Sequence, residues 1–124
     1  MTLLLDTHVV IWWIANDPNL TLDARQAIAD SPAVFVSAVS TWEIEIKRHI
    51  GKLTAPEDLE YQLERHAFQA LNVTWSHGIA AGRLPLHHRD PFDRLLIGQA
   101  LTEGLTIVTR DSRFAIYNVP TLRA

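Results

Sequence analysis

Leu3-Leu4-Leu5-Asp6-Thr7-His8-Val9-Val10-Ile11-Trp12-Trp13 is the stretch on which the reading of the fold turns. An apolar run with no alternation reads as a strand buried on both faces, as in the middle of a parallel sheet. Asp6 then falls at that strand's carboxyl end. In an open α/β sheet this is the edge where ligands bind, so a carboxylate placed there either caps the next helix or faces a substrate.

Working outward, residues 7–15 continue as a helix that stops at Asn16-Asp17-Pro18. Leu22 to Asp30 reads as a second helix with Thr21 as its N-cap. Ala33-Val34-Phe35-Val36-Ser37 is the second strand, and Ser40-Thr41-Trp42-Glu43 opens a helix closed by Gly51. Ala55-Pro56-Glu57-Asp58 begins an amphipathic helix to about residue 70, followed by a strand at 71–75 and a short helix at 76–84. A loop at 86–90 leads into a helix opened by Asp90-Pro91-Phe92-Asp93 and ended by Gly104. Residues 105–109 are the fourth strand, and 118–122 offer an edge strand. Alternating strands and helices imply a three-layer α/β/α domain with a mostly parallel central sheet, one domain over residues 1–124.

At 124 residues the chain is long enough for a core without staples, and the absence of cysteine excludes disulfides, thiolate metal sites and a cysteine nucleophile. No signal peptide or membrane-length apolar run is present, so a soluble, cytoplasmic protein is expected, with no membrane partner. The net charge of −3 argues against a nucleic-acid binder only if the acids are spread over the surface. With four of them neutralised in one place, the remaining balance is slightly positive.

Four acids carry the chemistry, and each has a purely structural explanation. Glu43 stands three residues after Ser40, the spacing of a capping box, and Asp93 stands three after Asp90. On that reading Glu43→Gln keeps its cap. Asp6 is placed to cap the following helix, and Asp111 to form a turn. Together, however, Asp6 and Asp111 end two strands at one sheet edge, and Glu43 and Asp93 lie in first turns of helices beginning there. Converging carboxylates repel one another unless a cation neutralises them, and hard oxygen ligands suit Mg²⁺ or Mn²⁺. Such a site acidifies water and screens a phosphodiester, which makes hydrolysis at phosphorus the expected reaction class. Thr7, Ser40 and Thr109 are placed as supporting hydroxyls.

His87 and His88 are expected in surface or packing roles, since no metal-ligand spacing accompanies them. Lys47, Arg48, His49, Lys52, Arg89, Arg94, Arg110 and Arg113 flank the acids. Arg89, Arg94 and Arg110 are candidates for phosphate-backbone contact, and a solvated helix face is the expectation for Lys47 and Arg48.

Four stretches in order now carry a resemblance: Leu4-Leu5-Asp6-Thr7-His8 with Trp12-Trp13; Ser37-Ala38-Val39-Ser40-Thr41-Trp42-Glu43-Ile44; residues 84–97, Leu-Pro-Leu-His-His-Arg-Asp-Pro-Phe-Asp-Arg-Leu-Leu-Ile; and Val108-Thr109-Arg110-Asp111. With them the chain resembles the PIN-domain ribonucleases, and among these the VapC-type toxins of bacterial toxin–antitoxin pairs. The resemblance implies a small α/β/α fold, Mg²⁺- or Mn²⁺-dependent endoribonuclease activity on RNA, a cognate VapB-like antitoxin that covers the site, and a homodimer. It assigns the catalytic, metal-holding acids to Asp6, Glu43, Asp93 and Asp111. Asp6 and Asp93 lead as ligands, with Glu43 acting through a second metal or a water. Asp90 competes with Asp93 for the third position. Many relatives carry Asn where this chain has Asp111, with an Asp at the place of Arg113.

Two other classes remain open on the sequence. One is a phosphotransferase with Asp6 as nucleophile, disfavoured because His8 stands where a second Asp is wanted. The other is an inert PIN-like module that binds protein or RNA without cutting.

Overall fold

The computed structural model describes residues 1–124. The first three elements follow the sequence closely. β1 (Thr2–Leu5) runs into α1 (Thr7–Ile14), and α2 (Leu22–Asp30) starts at Thr21, whose side chain accepts from the Ala24 N–H. β2 (Ala33–Ser37) passes without a loop into α3 (Ala38–His49). Ser37, not Ser40, is therefore the N-cap, its hydroxyl accepting from Val39 N–H at 3.1 Å. Gly51, at φ +76°, ends α3 as expected, with Lys52 N–H returning to Lys47 O.

The middle of the chain departs from expectation. α4 is short (Leu59–Arg65), and the next strand, β3, is Gln69–Leu71 rather than 71–75. The helix stops because Ala67 takes a left-handed conformation, φ +60°, with Ala67 N–H bonded to Glu64 O and Phe68 N–H to Leu63 O. This hydrogen-bond pair normally recruits glycine, so alanine at that position left no signal to read. α5 (Trp75–Gly82) follows, capped by Thr74 in a box with His77.

α6 (Pro91–Glu103) has Asp90 as N-cap, Pro91 at its first position and Gly104 in the left-handed conformation at its end. β4 (Thr106–Thr109), a 3₁₀ helix (Ser112–Tyr117) and β5 (Thr121–Arg123) complete the chain. β5 lies a few residues later than the 118–122 expected for the edge strand.

The five strands form one sheet in the order β3-β2-β1-β4-β5, every pair parallel. Both faces are covered. Leu3, Leu5, Val34 and Val36 pack on one side with α1, α2, Ile44 of α3 and α4, while Leu4 and Ile107 pack on the other with α6 and the 3₁₀ helix. β1 is central, and Leu3, Leu4 and Leu5 are fully buried, which is why the run does not alternate. The chain builds outward through β2 and β3, then returns to place β4 on the other side of β1. The β1/β4 junction is thus the switch point, where the carboxyl ends of adjacent strands open a crevice. No helix is long and apolar enough to cross a membrane.

α5 and α6 approach most closely at Gly98. A Cβ there would meet Ala81 N at 2.8 Å, and that atom is backbone. Gly98→Ala is expected to destabilise by roughly 1–3 kcal/mol through overpacking, despite alanine's higher helix propensity. Thermal melting of the variant checks this; an unchanged or raised midpoint contradicts the packing.

Candidate active site

A cavity of about 390 Å³ opens at the β1/β4 junction, lined by Asp6, Glu43, Asp93 and Asp111 together with Asp90, His8, Trp12, Lys47, Arg110 and Arg113. The four acids singled out in the sequence arrive from four different elements.

Asp6 occupies the N-cap position of α1, yet its side chain makes no capping hydrogen bond. Its Oδ2 instead accepts from Thr109 Oγ1 at 2.7 Å, across the junction with β4. Burial is the main cause of a pKa raised above the ordinary carboxylate range, and the charge of Glu43 adds to it, against lowering by Thr109, His8 and the Thr7 N–H. An acid left in that position without capping gives up local stability for its orientation into the cavity.

Glu43 is not in a capping box. Because β2 continues directly into α3, Glu43 lies mid-helix, too far from the N-terminal amides to cap them. It is buried, its Oε1 accepting from Thr7 Oγ1 and its Oε2 from Lys47 Nζ, both at 2.7 Å. Ser40 Oγ lies 3.1 Å from Thr7 Oγ1, so the two hydroxyls and the acid form one buried chain. Lys47 does not belong to a solvated face: it enters the cavity, and its ammonium is held above its ordinary pKa chiefly by the hydrogen bond to Glu43. Arg48 pairs with Glu45 at the surface.

Asp90 and Asp93 divide the roles that the sequence left in competition. Asp90 Oδ1 accepts from the N–H groups of Phe92 and Asp93, at 2.8 and 3.2 Å, so it is the cap. Asp93 does not reach back to complete a box; its Oδ2 is 2.7 Å from His88 Nε2. Burial, then the charges of Asp6 and Asp90, raise the Asp93 pKa to about 7 against the opposing contact with His88. Asp111 caps the 3₁₀ helix through Arg113 N–H, and Arg113 also grips both of its oxygens, which holds its pKa below the ordinary range.

His88 is the residue that sequence reasoning placed too loosely. It is buried behind Asp93, its N–H donating to the Tyr117 hydroxyl at 2.7 Å, and that hydroxyl donating to Pro85 O at 2.8 Å. The available signal was its distance of five residues from Asp93 across a proline-started helix. His87 is exposed, its ring 5.5 Å from that of Tyr117.

The arginines sort differently from expectation. Arg94 is not free for a phosphate: its two terminal nitrogens donate to the carbonyls of Pro85, His88, Ala81 and Leu84, tying the loop before α6 to the helix. Arg110 is half-buried, with Nε donating to Ala124 O at 3.1 Å and Nη2 to Asn19 O. Arg89 is exposed.

The donor set suits a small hard divalent cation. Buried carboxylates are kept protonated longer than usual by desolvation and by one another, the condition that a cation relieves. One potential ligand atom from each of His88, Asp93 and Asp111 lies within 4.8 Å of the others. His88 is already bonded to Asp93, which suits it to orienting that carboxylate.

A parallel sheet in this order with an acidic cavity at its switch point is the architecture of a PIN domain, and the family model described as PIN domain matches residues 3–119. The chain belongs to that family. It is 33% identical over 124 aligned residues to Ribonuclease VapC22 of Mycobacterium tuberculosis (strain ATCC 25618 / H37Rv), covering 96% of this chain and 94% of the relative. Among solved structures, the fold matches VapBC2 from Rickettsia felis bound to a promoter DNA fragment, with TM-score 0.73 and 17% identity over 99% of this chain and 98% of that one. It also matches DNA-bound VapBC from Salmonella typhimurium, with TM-score 0.73 and 20% identity over the same shares. VapBC-5 from Mycobacterium tuberculosis matches with TM-score 0.61 and 20% identity over 100% of both chains.

Proposed function

We propose that this chain is a VapC-type ribonuclease toxin: a cytoplasmic, Mg²⁺- or Mn²⁺-dependent endoribonuclease, homodimeric and restrained by a cognate VapB-like antitoxin. The observation that carries the reading is Asp6, an acid at an N-cap that leaves the cap unmade and turns, buried, toward Glu43, Asp93 and Asp111. Similarity to Ribonuclease VapC22 supports the activity, and the VapBC assemblies of the same fold support the antitoxin.

Asp6 and Asp93 would hold the ion, Thr109 and His88 fix the rotamers of those two acids, and Asp111 would complete the set with Arg113 as its counter-charge. A divalent ion held there would supply charge screening for the phosphodiester and a more acidic water. Glu43, oriented by Thr7, takes the proton of the attacking water, whose oxygen forms the new bond to phosphorus as an ester oxygen leaves. Lys47 spends one of its three donors on Glu43, leaving two for the non-bridging oxygens.

The antitoxin segment is assigned to a groove of about 660 Å³ between α3, α4 and β3. Its apolar floor, with Val36, Leu63 and Phe68, and its rim of Glu45, Glu60 and Glu64 suit a basic amphipathic segment. Exposed Ile46 and Ile50, one turn apart at the end of α3, support a second copy as partner.

The test is sequencing of new 5′ ends in total cellular RNA after incubation with antitoxin-free protein and Mg²⁺, with Asp93→Asn alongside. New ends that need both metal and Asp93 are expected. None, from folded protein shown by calorimetry to bind Mg²⁺, overturns the reading.

A further inference from the structure

We propose that Trp12 and the guanidinium of Arg110 form a stacking subsite for an unpaired nucleobase beside the acidic cavity; the inference rests on the ribonuclease reading of that cavity.

Trp12 is the one apolar residue among the ten that line the cavity. Part of its ring packs on the core beneath the sheet, and the rest faces the acids. The Arg110 Cζ sits 4.6 Å from the centroid of that ring. Arginine beside a nuclease cavity ordinarily suggests a phosphate contact, made by the donors in the plane of the guanidinium. Here Nε and Nη2 are already bonded to the carbonyls of Ala124 and Asn19. These bonds use two of its five N–H donors and hold the guanidinium over the Trp12 ring, so Arg110 and Trp12 meet the cavity as one layered planar pair.

His8 extends the same wall. It is exposed, one helical turn before Trp12, and the two rings lie 6.1 Å apart at 43°. Trp12, His8 and Arg110 thus bring planar groups to a cavity otherwise lined by five carboxylates with Lys47 and Arg113. A neutral base suits the planar groups, and its phosphate suits the acids where a cation is held. Because Asp6 and Trp12 belong to the start and body of α1, about 9 Å apart along the axis, their spacing is set by a single rigid element. Aromatic and guanidinium planes are how proteins hold unstacked bases, at about 1–3 kcal/mol per base with little sequence demand.

Stacking and phosphate contact separate in a salt series. Removing a phosphate contact reduces the slope of log K against log salt, whereas removing a stacking partner lowers affinity at every salt with the slope unchanged. The full chain carrying Asp93→Asn, which binds without cutting, is titrated with a labelled oligoadenylate and with an abasic ribose-phosphate oligomer of equal length. Adding Trp12→Leu is expected to weaken oligoadenylate about tenfold, keep the slope, and leave the abasic oligomer unaffected. Arg110→Lys, which keeps the charge and loses the plane, is expected to act in the same direction. Equal weakening of both oligomers, a changed slope, or unchanged oligoadenylate binding by both variants overturns the subsite. Melting curves verify that each variant is folded, and if Trp12→Leu is not, Arg110→Lys carries the test. If the parent binds neither oligomer and the unsubstituted protein cuts no RNA, the ribonuclease reading itself has failed. Cleavage by the unsubstituted protein with no effect of either variant on oligoadenylate binding removes the stacking subsite alone.

Discussion

Asp93→Asn is expected to abolish RNA cleavage and, without divalent metal, to raise the melting temperature. The first effect follows from removing a charge that the ion needs, a loss of several kcal/mol of transition-state stabilisation and so about 10³-fold or more in rate. The second follows from the pKa of Asp93, raised from 3.8 to about 7 by burial first and then by Asp6 and Asp90. A carboxyl that binds its proton more tightly when folded contributes stability that is complete below pH 4 and lost as pH rises to about 7. Metal-free protein therefore weakens between pH 4 and 7 through this group, and Asn, which carries no charge, does not.

At pH 7.5 without metal, Asp93→Asn is expected to melt a few degrees higher, on the order of 1–2 kcal/mol. At pH 4 the difference shrinks toward zero. Adding Mg²⁺ stabilises only the protein that can bind it and so closes or reverses the gap. Scanning fluorimetry at both pH values, with and without Mg²⁺, reads all three effects. A variant that cuts RNA at the unsubstituted rate, or melts lower than its parent at pH 7.5 without metal, contradicts the account. Asp6→Asn is expected to behave alike, since its pKa is raised by the same main cause and Asn can still accept from Thr109.

Glu43→Gln is the second large effect, and here the structure replaces the capping role drawn from spacing with a buried contact to Thr7 and Lys47. As a cap, Glu43 would tolerate Gln. As a buried mid-helix acid between Thr7 and Lys47 it does not, because the amide can accept from Thr7 but turns its own N–H groups toward the Lys47 ammonium. Lys47 is about one-third exposed and can swing into solvent, which limits the stability cost to roughly 1 kcal/mol. Cleavage is expected to fall by about 10²-fold or more, since the variant can neither take the proton nor hold Lys47 in place. Single-turnover cleavage and thermal melting check the pair of effects. Activity retained alongside lost stability would return Glu43 to a structural role.

These two residues show why spacing alone misassigned them. Ser40-x-x-Glu43 has the letters of a capping box, but the helix starts three residues earlier, at the end of a strand that runs straight into it. Nothing local separates Ser37 from Ser40 as the cap. Asp90-x-x-Asp93 was half right for the same reason: the cap is local and formed as expected, while Asp93 was drawn away by His88, whose position depends on Tyr117 at the end of the 3₁₀ helix.

The sequence by itself determined β1, β2, α2 and the stop of α6, because buried apolar runs, a threonine cap and a glycine end are written within a few residues of where they act. It also placed Asp6 and Asp111 at strand ends, and the order of strands and helices implied one parallel sheet. Tertiary structure alone decided that Trp12 and Lys47 join the acids, that Arg94 is consumed by four carbonyls, and that His88 stands behind Asp93. Those contacts link residues on separate elements, so their energies depend on distances that the return of the chain from β3 to β4 sets and that no local stretch encodes.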